Sequence, residues 1–124
     1  KKVLLEALEI ALKSDGPQNQ ALVTIYVNLS FVSIYLREWD AVIDYSNKAL
    51  DIIRKNYGEQ HIHAADLYCN LGMAHSEKNS LKEAEMYYNL AKQTLERNKA
   101  DPTSRTFEAV KEGLENLKRK KRTL

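Results

Sequence analysis

The sequence has a single cysteine, Cys69, two prolines and four glycines. One thiol excludes an internal disulfide and any site built from several cysteines, and it fits a reducing compartment. Long apolar runs are missing as well. The most apolar stretch, Leu22–Leu36, holds eleven apolar residues in fifteen, too short to span a bilayer, and no stretch reads as a signal peptide. Neither charge dominates: 19 Lys and Arg against 17 Asp and Glu leave a net charge of +2, too little for the chain as a whole to be drawn to nucleic acid. No alternating Val/Ile/Thr run bounded by turns argues for a strand. There is no Gly-rich phosphate loop, no workable Ser/His/Asp arrangement and no pair of carboxylates in an apolar pattern. The chain therefore reads as non-enzymatic, with no catalytic residue, cofactor or small-molecule substrate expected. Because residue 1 is Lys1 and not methionine, an excised fragment is the expectation.

What is present is helical. Charged residues make up 29% and hydrophobic ones 44% of 124 residues, an ordinary balance for one compact unit. The few glycines and prolines fall where helices should end: Gly16–Pro17 and Gly58 follow runs closing in Lys13 and Lys55, and Pro102 follows Asp101. Helices are expected at 2–14, 18–36, 39–55, 61–78, 81–97 and 102–120, an all-α fold of about six helices. Arg37-Glu38 and Asn79-Ser80 leave only short turns, so consecutive helices must fold back as antiparallel hairpins. Ser80-Leu81-Lys82-Glu83 has the spacing of a capping box. The run from Ala21 to Leu36 is apolar on nearly every side and must be covered on nearly every side. Its Ser30 and Ser33 are small enough for close helix contacts, while Thr24 and Asn28, four apart, share one face. The last helix carries Phe107, Val110, Leu114 and Leu117 as a one-sided stripe, with charges elsewhere, as a solenoid end requires.

Laid over itself at a shift of 42, the chain repeats. Tyr26 meets Tyr68, Asn28-Leu29 meets Asn70-Leu71, Tyr45 meets Tyr87, and Ala7, Ala49 and Ala91 form a triple. Self-similarity at a fixed period of this size marks a stack of identical units. The expected organisation is a second helix of a preceding repeat at 1–14, full repeats at 15–56 and 57–98, and a capping helix with a basic tail at 99–124. The first helix lacks its own partner, so Val3, Leu4, Leu8 and Ile10 are expected to have apolar surface to cover, by a longer parent chain or by another copy.

Tyr68, Leu71, Gly72, His75, Ala84, Tyr88 and Ala91 stand at the spacings of the tetratricopeptide (TPR) signature. In the preceding repeat Tyr26, Leu29, Ser30, Ser33, Val42, Ser46 and Ala49 hold those positions. The chain resembles that family. The 42-residue spacing, with Tyr57-Gly58-Glu59-Gln60-His61 ahead of Asn70-Leu71, resembles the kinesin light chain type, although Ile62 stands where proline is usual. Small residues are needed where helix backbones meet; a larger one at Gly72 or Ala91 would cost ~1–3 kcal/mol by overpacking.

The resemblance implies a right-handed α-solenoid whose first helices line a concave groove that binds extended or helical peptides of a partner protein. Carried over by position, the groove residues are Thr24, Asn28, Phe31 and Tyr35, then Asp66, Asn70, Met73 and Glu77. A side-chain amide can pair with a peptide backbone in both directions, which suits Asn28 and Asn70 to this role; the competing reading has them bridge adjacent helices. With Asp66 and Glu77 present and no Lys or Arg among these positions, an apolar or basic ligand is expected rather than an acidic one.

Other features carry less. His61, His63 and His75 do not share one direction, and no metal site is expected. Cys69 reads as a packing residue. Lys118, Arg119, Lys120, Lys121 and Arg122 form a basic tail that could attach to RNA or membrane, or direct the protein to the nucleus; the competing reading is a solvated helix end. The expected location is the cytoplasm. An electrostatic tail would lose affinity steeply with salt and an apolar groove would not. A third reading makes the chain a structural or oligomerisation arm of a larger protein.

Overall fold

A computed structural model describes residues 1–15, 20–58 and 61–123, with the backbone alone at 14, 15 and 20. Among the described residues six helices follow one another: α1 (Lys2–Asp15), α2 (Gln20–Tyr35), α3 (Trp39–Tyr57), α4 (Ile62–Glu77), α5 (Leu81–Arg97) and α6 (Arg105–Thr123). The described residues contain no strand. Gly16, Pro17 and the Glu59-Gln60 part of the linker lie outside the described residues, as does the expected start of the second helix at 18.

The hairpins close by the same device. Arg37 and Asn79, 42 residues apart, both adopt left-handed backbone (φ 57° and 62°), and Lys99 after α5 does so too (φ 54°). Around each, an amide donates five residues back: Glu38 N to Ser33 O (2.9 Å), Ser80 N to His75 O (2.8 Å) and Ala100 N to Leu95 O (2.9 Å). These are Schellman turns, which satisfy carbonyls that a helix end leaves free, built here without glycine.

The α4–α5 turn also decides the fate of the expected capping box, which is not formed. With its amide donated to His75 and its backbone at ψ 70°, Ser80 makes no side-chain cap. The capping side chain in that repeat is His61, whose Nδ1 accepts from the His63 amide at 3.2 Å ahead of α4. The last helix begins later than Asp101 and Pro102 suggest. Asp101 accepts from the amide and hydroxyl of Thr103 (2.9 and 2.7 Å) in a turn, and Ser104 then accepts from Phe107 N at 3.3 Å as the cap. Those two bonds hold the Asp101 carboxyl below its ordinary range.

Contacts run α1·α2, α2·α3, α3·α4, α4·α5 and α5·α6 in sequence, with additional contacts α2·α4 and α4·α6. No contact joins α1 to α3 or α3 to α5 among the described residues. When alternate helices touch on one side of a stack and not on the other, the stack curves toward the touching side. The inner wall is therefore α2, α4 and α6. Leu22, Leu29, Leu50, Ile53, Leu67 and Leu71 lie fully buried between the layers, with Ala49, Ala84 and Ala91 wherever backbones approach.

The repeat is physical as well as textual. Tyr26 stacks on Tyr45 with ring centroids 6.2 Å apart, and Tyr68 stacks on Tyr87 at 6.4 Å. Each pair ties the inner helix of a repeat to its outer one at the same register.

Candidate peptide-binding groove

The inner wall offers side chains in helical rows. On α2, Thr24, Asn28, Phe31 and Tyr35 are all exposed, Tyr35 at 91%. On α4, Asp66 and Glu77 are exposed and Met73 is half-buried. Asn70 departs from this row. It is only 5% exposed and donates to Ser30 Oγ at 3.2 Å, while Ser30 Oγ lies 2.9 Å from Ser46 Oγ. Its position faces the joint between repeats, where a buried amide needs a partner and finds one. Asn70 is thus a correction to the groove residues expected from the sequence: the bridging reading holds for Asn70, and Asn28 alone of the pair faces solvent.

Among the described residues, recesses break the wall, and three of them are bordered by residues expected in the groove. Near the start of the inner helices, a cavity of about 240 Å³ is bounded by Thr24, Asn28, His63 and Asp66 over Val23, Val27 and Ile53. Asp66 is held there by Thr106 of α6, whose hydroxyl donates to it at 2.5 Å. At the other end, Tyr35, Trp39, Met73 and Glu77 bound a second recess of about 360 Å³ together with Ile34 and Arg37. Beside it, Met73 and Glu77 also border a third of about 370 Å³, closed by Tyr88, Glu112, Asn116 and Arg119. The structure therefore brings six of the expected residues into recesses: Thr24 with Asn28 and Asp66, and Tyr35 with Met73 and Glu77. Phe31 is exposed between them and borders none of the three.

From the sequence, Glu112 falls among the charges on the outer faces of the cap and Arg119 in the basic tail, and none of Glu112, Asn116 and Arg119 is expected in the groove. The missed signal is Gly113, which lies 41 residues beyond Gly72. A methyl group at Gly72 would stand 2.8 Å from the Tyr88 ring and one at Gly113 would stand 2.3 Å from it. Tyr88 is clamped between two helical glycines, so α6 takes the position of a third inner helix. Burial there raises the Tyr88 hydroxyl well above its ordinary pKa and keeps it protonated.

The basic tail is the end of α6, and most of its charges are engaged. Lys120 Nζ donates to Ser76 O (2.8 Å) and Ser76 Oγ (3.0 Å), closing the end of α4. Lys121 pairs with Glu85, Lys118 with Glu115 at 3.5 Å, and Arg119 donates to Asn116 at 3.4 Å. His61 and His63 have ring centroids 4.7 Å apart, whereas His75 stacks on Tyr87. Among the described residues, no group of three His, Cys, Asp or Glu could hold a metal ion. Cys69 is buried, and desolvation, aided by Asp66, pushes its thiol up to about 12. At neutral pH it is a packed thiol and not a nucleophile.

At the N-terminal end, Val3 and Ile10 are 76% and 66% exposed, and Leu5 and Leu12 are exposed as well. Leu4 and Leu8 instead pack half-buried against the core. No helix among the described residues is long and apolar enough to cross a membrane.

A tetratricopeptide repeat family model matches residues 22–97. The chain belongs to the tetratricopeptide repeat family. No curated protein matches it. Among solved structures, BtubC (BKLC) from P. vanneervenii is similar over 95% of this tetratricopeptide chain, with a TM-score of 0.75 and 21% identity. The chain spans 54% of that protein's length. At that identity the likeness speaks for the fold alone, an all-α tetratricopeptide solenoid.

Proposed function

We propose that this tetratricopeptide chain is a non-enzymatic scaffold that binds a peptide or helix of a partner protein along the wall of α2, α4 and α6. The observation that carries this is the row of exposed aromatic, amide and carboxylate side chains beside three recesses, on a wall held rigid by the glycine and serine joints behind it. Preorganised walls of this kind lose little entropy on binding. Residues 15–56 and 57–98 act as the two full repeats of the wall, and 99–124 completes it. Thr24, Asn28 and Asp66 would hold backbone or polar groups of the ligand at one end. Phe31, Tyr35 and Met73 would supply apolar anchor surface toward the other.

A second reading has its own observation: the exposed apolar side of α1 suits a helix of another copy or of a longer parent chain, which would make the molecule an oligomerisation arm. The attachment of the tail to RNA or membrane is the weaker option, because its lysines are already engaged within the fold.

The test is selection of displayed random heptapeptides on the intact chain, followed by titration of the selected peptide against wild type, Asn28→Ala and Tyr35→Ala. Loss of affinity in the variants, with helicity and melting temperature retained, supports the groove. Affinity unchanged in both variants and abolished by moderate salt contradicts it.

A further inference from the structure

The far end of the groove has a more specific chemistry than an apolar wall. Met73 and Glu77 border two adjoining recesses, one closed by Tyr35 and Trp39 and the other by Tyr88 and Glu112. The first recess therefore combines two aromatic rings, a polarisable thioether and a carboxylate. Aromatic faces attract a cation through their quadrupole, and a carboxylate can take a guanidinium through paired hydrogen bonds. An acidic or purely apolar side chain would leave Glu77 opposed or unused.

The carboxylate is also available. Glu77 forms no ion pair and no side-chain hydrogen bond among the described residues. The lysines beside it are committed elsewhere: Lys78 pairs with Asp40, and Lys120 donates to Ser76. On the adjoining side Arg119 is turned to Asn116. Arg37 borders the recess without pairing to Glu77, so it acts as a competing cation at the lip.

We infer that this recess binds an arginine side chain of the partner peptide, its guanidinium at Glu77 and against the Tyr35 and Trp39 rings, its aliphatic stem along Met73. Arginine fits better than lysine because its planar fork can stack on a ring and pair with a carboxylate at once. This rests on the groove reading above and adds the chemistry of one anchor. Neither the family likeness nor the net charge of +2 implies it.

The experiment uses the intact chain and peptides selected from the heptapeptide display. Trp39, the only tryptophan, reports occupancy through its emission. The expected result is a shared arginine in the selected peptides and a shift of Trp39 emission on titration. Affinity should fall about tenfold or more when that arginine is replaced by glutamate, or when the protein carries Glu77→Gln. Lysine in its place should bind more weakly than arginine, and Arg37→Ala should bind the arginine peptide more tightly. Selected peptides that lose affinity with Asn28→Ala but share no basic residue and ignore Glu77→Gln overturn the arginine anchor and leave the groove standing. If no peptide is selected at all, both readings fall.

Discussion

The two joints between repeats fill the same space by opposite chemistry. In the first, Ser30 and Ser46 meet at 2.9 Å and Asn70 of the next inner helix donates into the pair. In the second, the corresponding positions are Gly72 and Tyr88, and the next inner helix contributes Gly113 to the far face of the ring. A small polar cluster and one large ring between two glycines serve the same step of the solenoid. The first joint depends on hydrogen bonds being complete, because a buried amide without a partner costs about 1–3 kcal/mol. The second depends on shape, because a ring in a close-packed slot tolerates neither loss nor added bulk. That difference also separates the two asparagines. Asn28 is exposed on the wall, whereas Asn70 is drawn into the joint by Ser30 of the preceding inner helix.

The largest expected effect is at the aromatic joint. Tyr88→Ala leaves a cavity bounded by two helices and should lower stability by about 3–5 kcal/mol, read by chemical denaturation. Gly113→Ala should cost about 1–3 kcal/mol in the wild-type chain, where the new methyl meets the Tyr88 ring. In a Tyr88→Leu background the sign should reverse, since Ala is favoured over Gly in a helix by about 1 kcal/mol once the ring is gone. Equal destabilisation in both backgrounds would show that Gly113 is needed for some other reason.

At the polar joint the effects are smaller. Asn70→Ala should cost about 1 kcal/mol, because Ser30 keeps Ser46 as a partner. Ser33 Oγ, by contrast, is buried with no hydrogen-bond partner among the described residues, so Ser33→Ala should be neutral or slightly stabilising in the same measurement. A loss of about 1 kcal/mol there would point to a partner for the hydroxyl that the fold does not show.

The smallest effect is a pH dependence from His75. Desolvation lowers its pKa, with Lys78 adding to the shift and Glu83 opposing it. The folded chain then binds this proton less readily than the unfolded chain, whose histidine titrates near 6.5. Stability linked to His75 is present above that pH and is lost as the pH falls through it. Between about pH 7.5 and about pH 5.5 the wild type should lose more melting temperature than His75→Tyr, which keeps a ring beside Tyr87 but cannot titrate there.

The helices and their order were legible because their signals are local. Apolar periodicity depends on neighbours a few residues away, the 42-residue register is read by laying the chain over itself, and Tyr26–Tyr45 and Tyr68–Tyr87 stack at equivalent places in that register. Caps were less legible. Ser80 has the right residue type, but the preceding Schellman turn takes its amide and sets its backbone out of capping range. Half of the wall could be placed from repeat positions alone. The α6 side could not, because its place as an inner helix is set by contacts with α4 and by the Tyr88 ring reaching across from α5 to Gly113, which no repeat spacing shows. Nor could Asn70, whose role is set by a serine on another repeat 40 residues earlier.

The most direct test compares the two asparagines in one experiment, measuring melting temperature and affinity for a selected groove peptide in Asn28→Ala and Asn70→Ala. The account predicts that Asn28→Ala melts like the wild type and binds more weakly, while Asn70→Ala melts earlier and, below its transition, binds as the wild type does. The reverse pattern, with Asn70→Ala losing the peptide at full stability, would contradict it and return the buried amide to the binding surface.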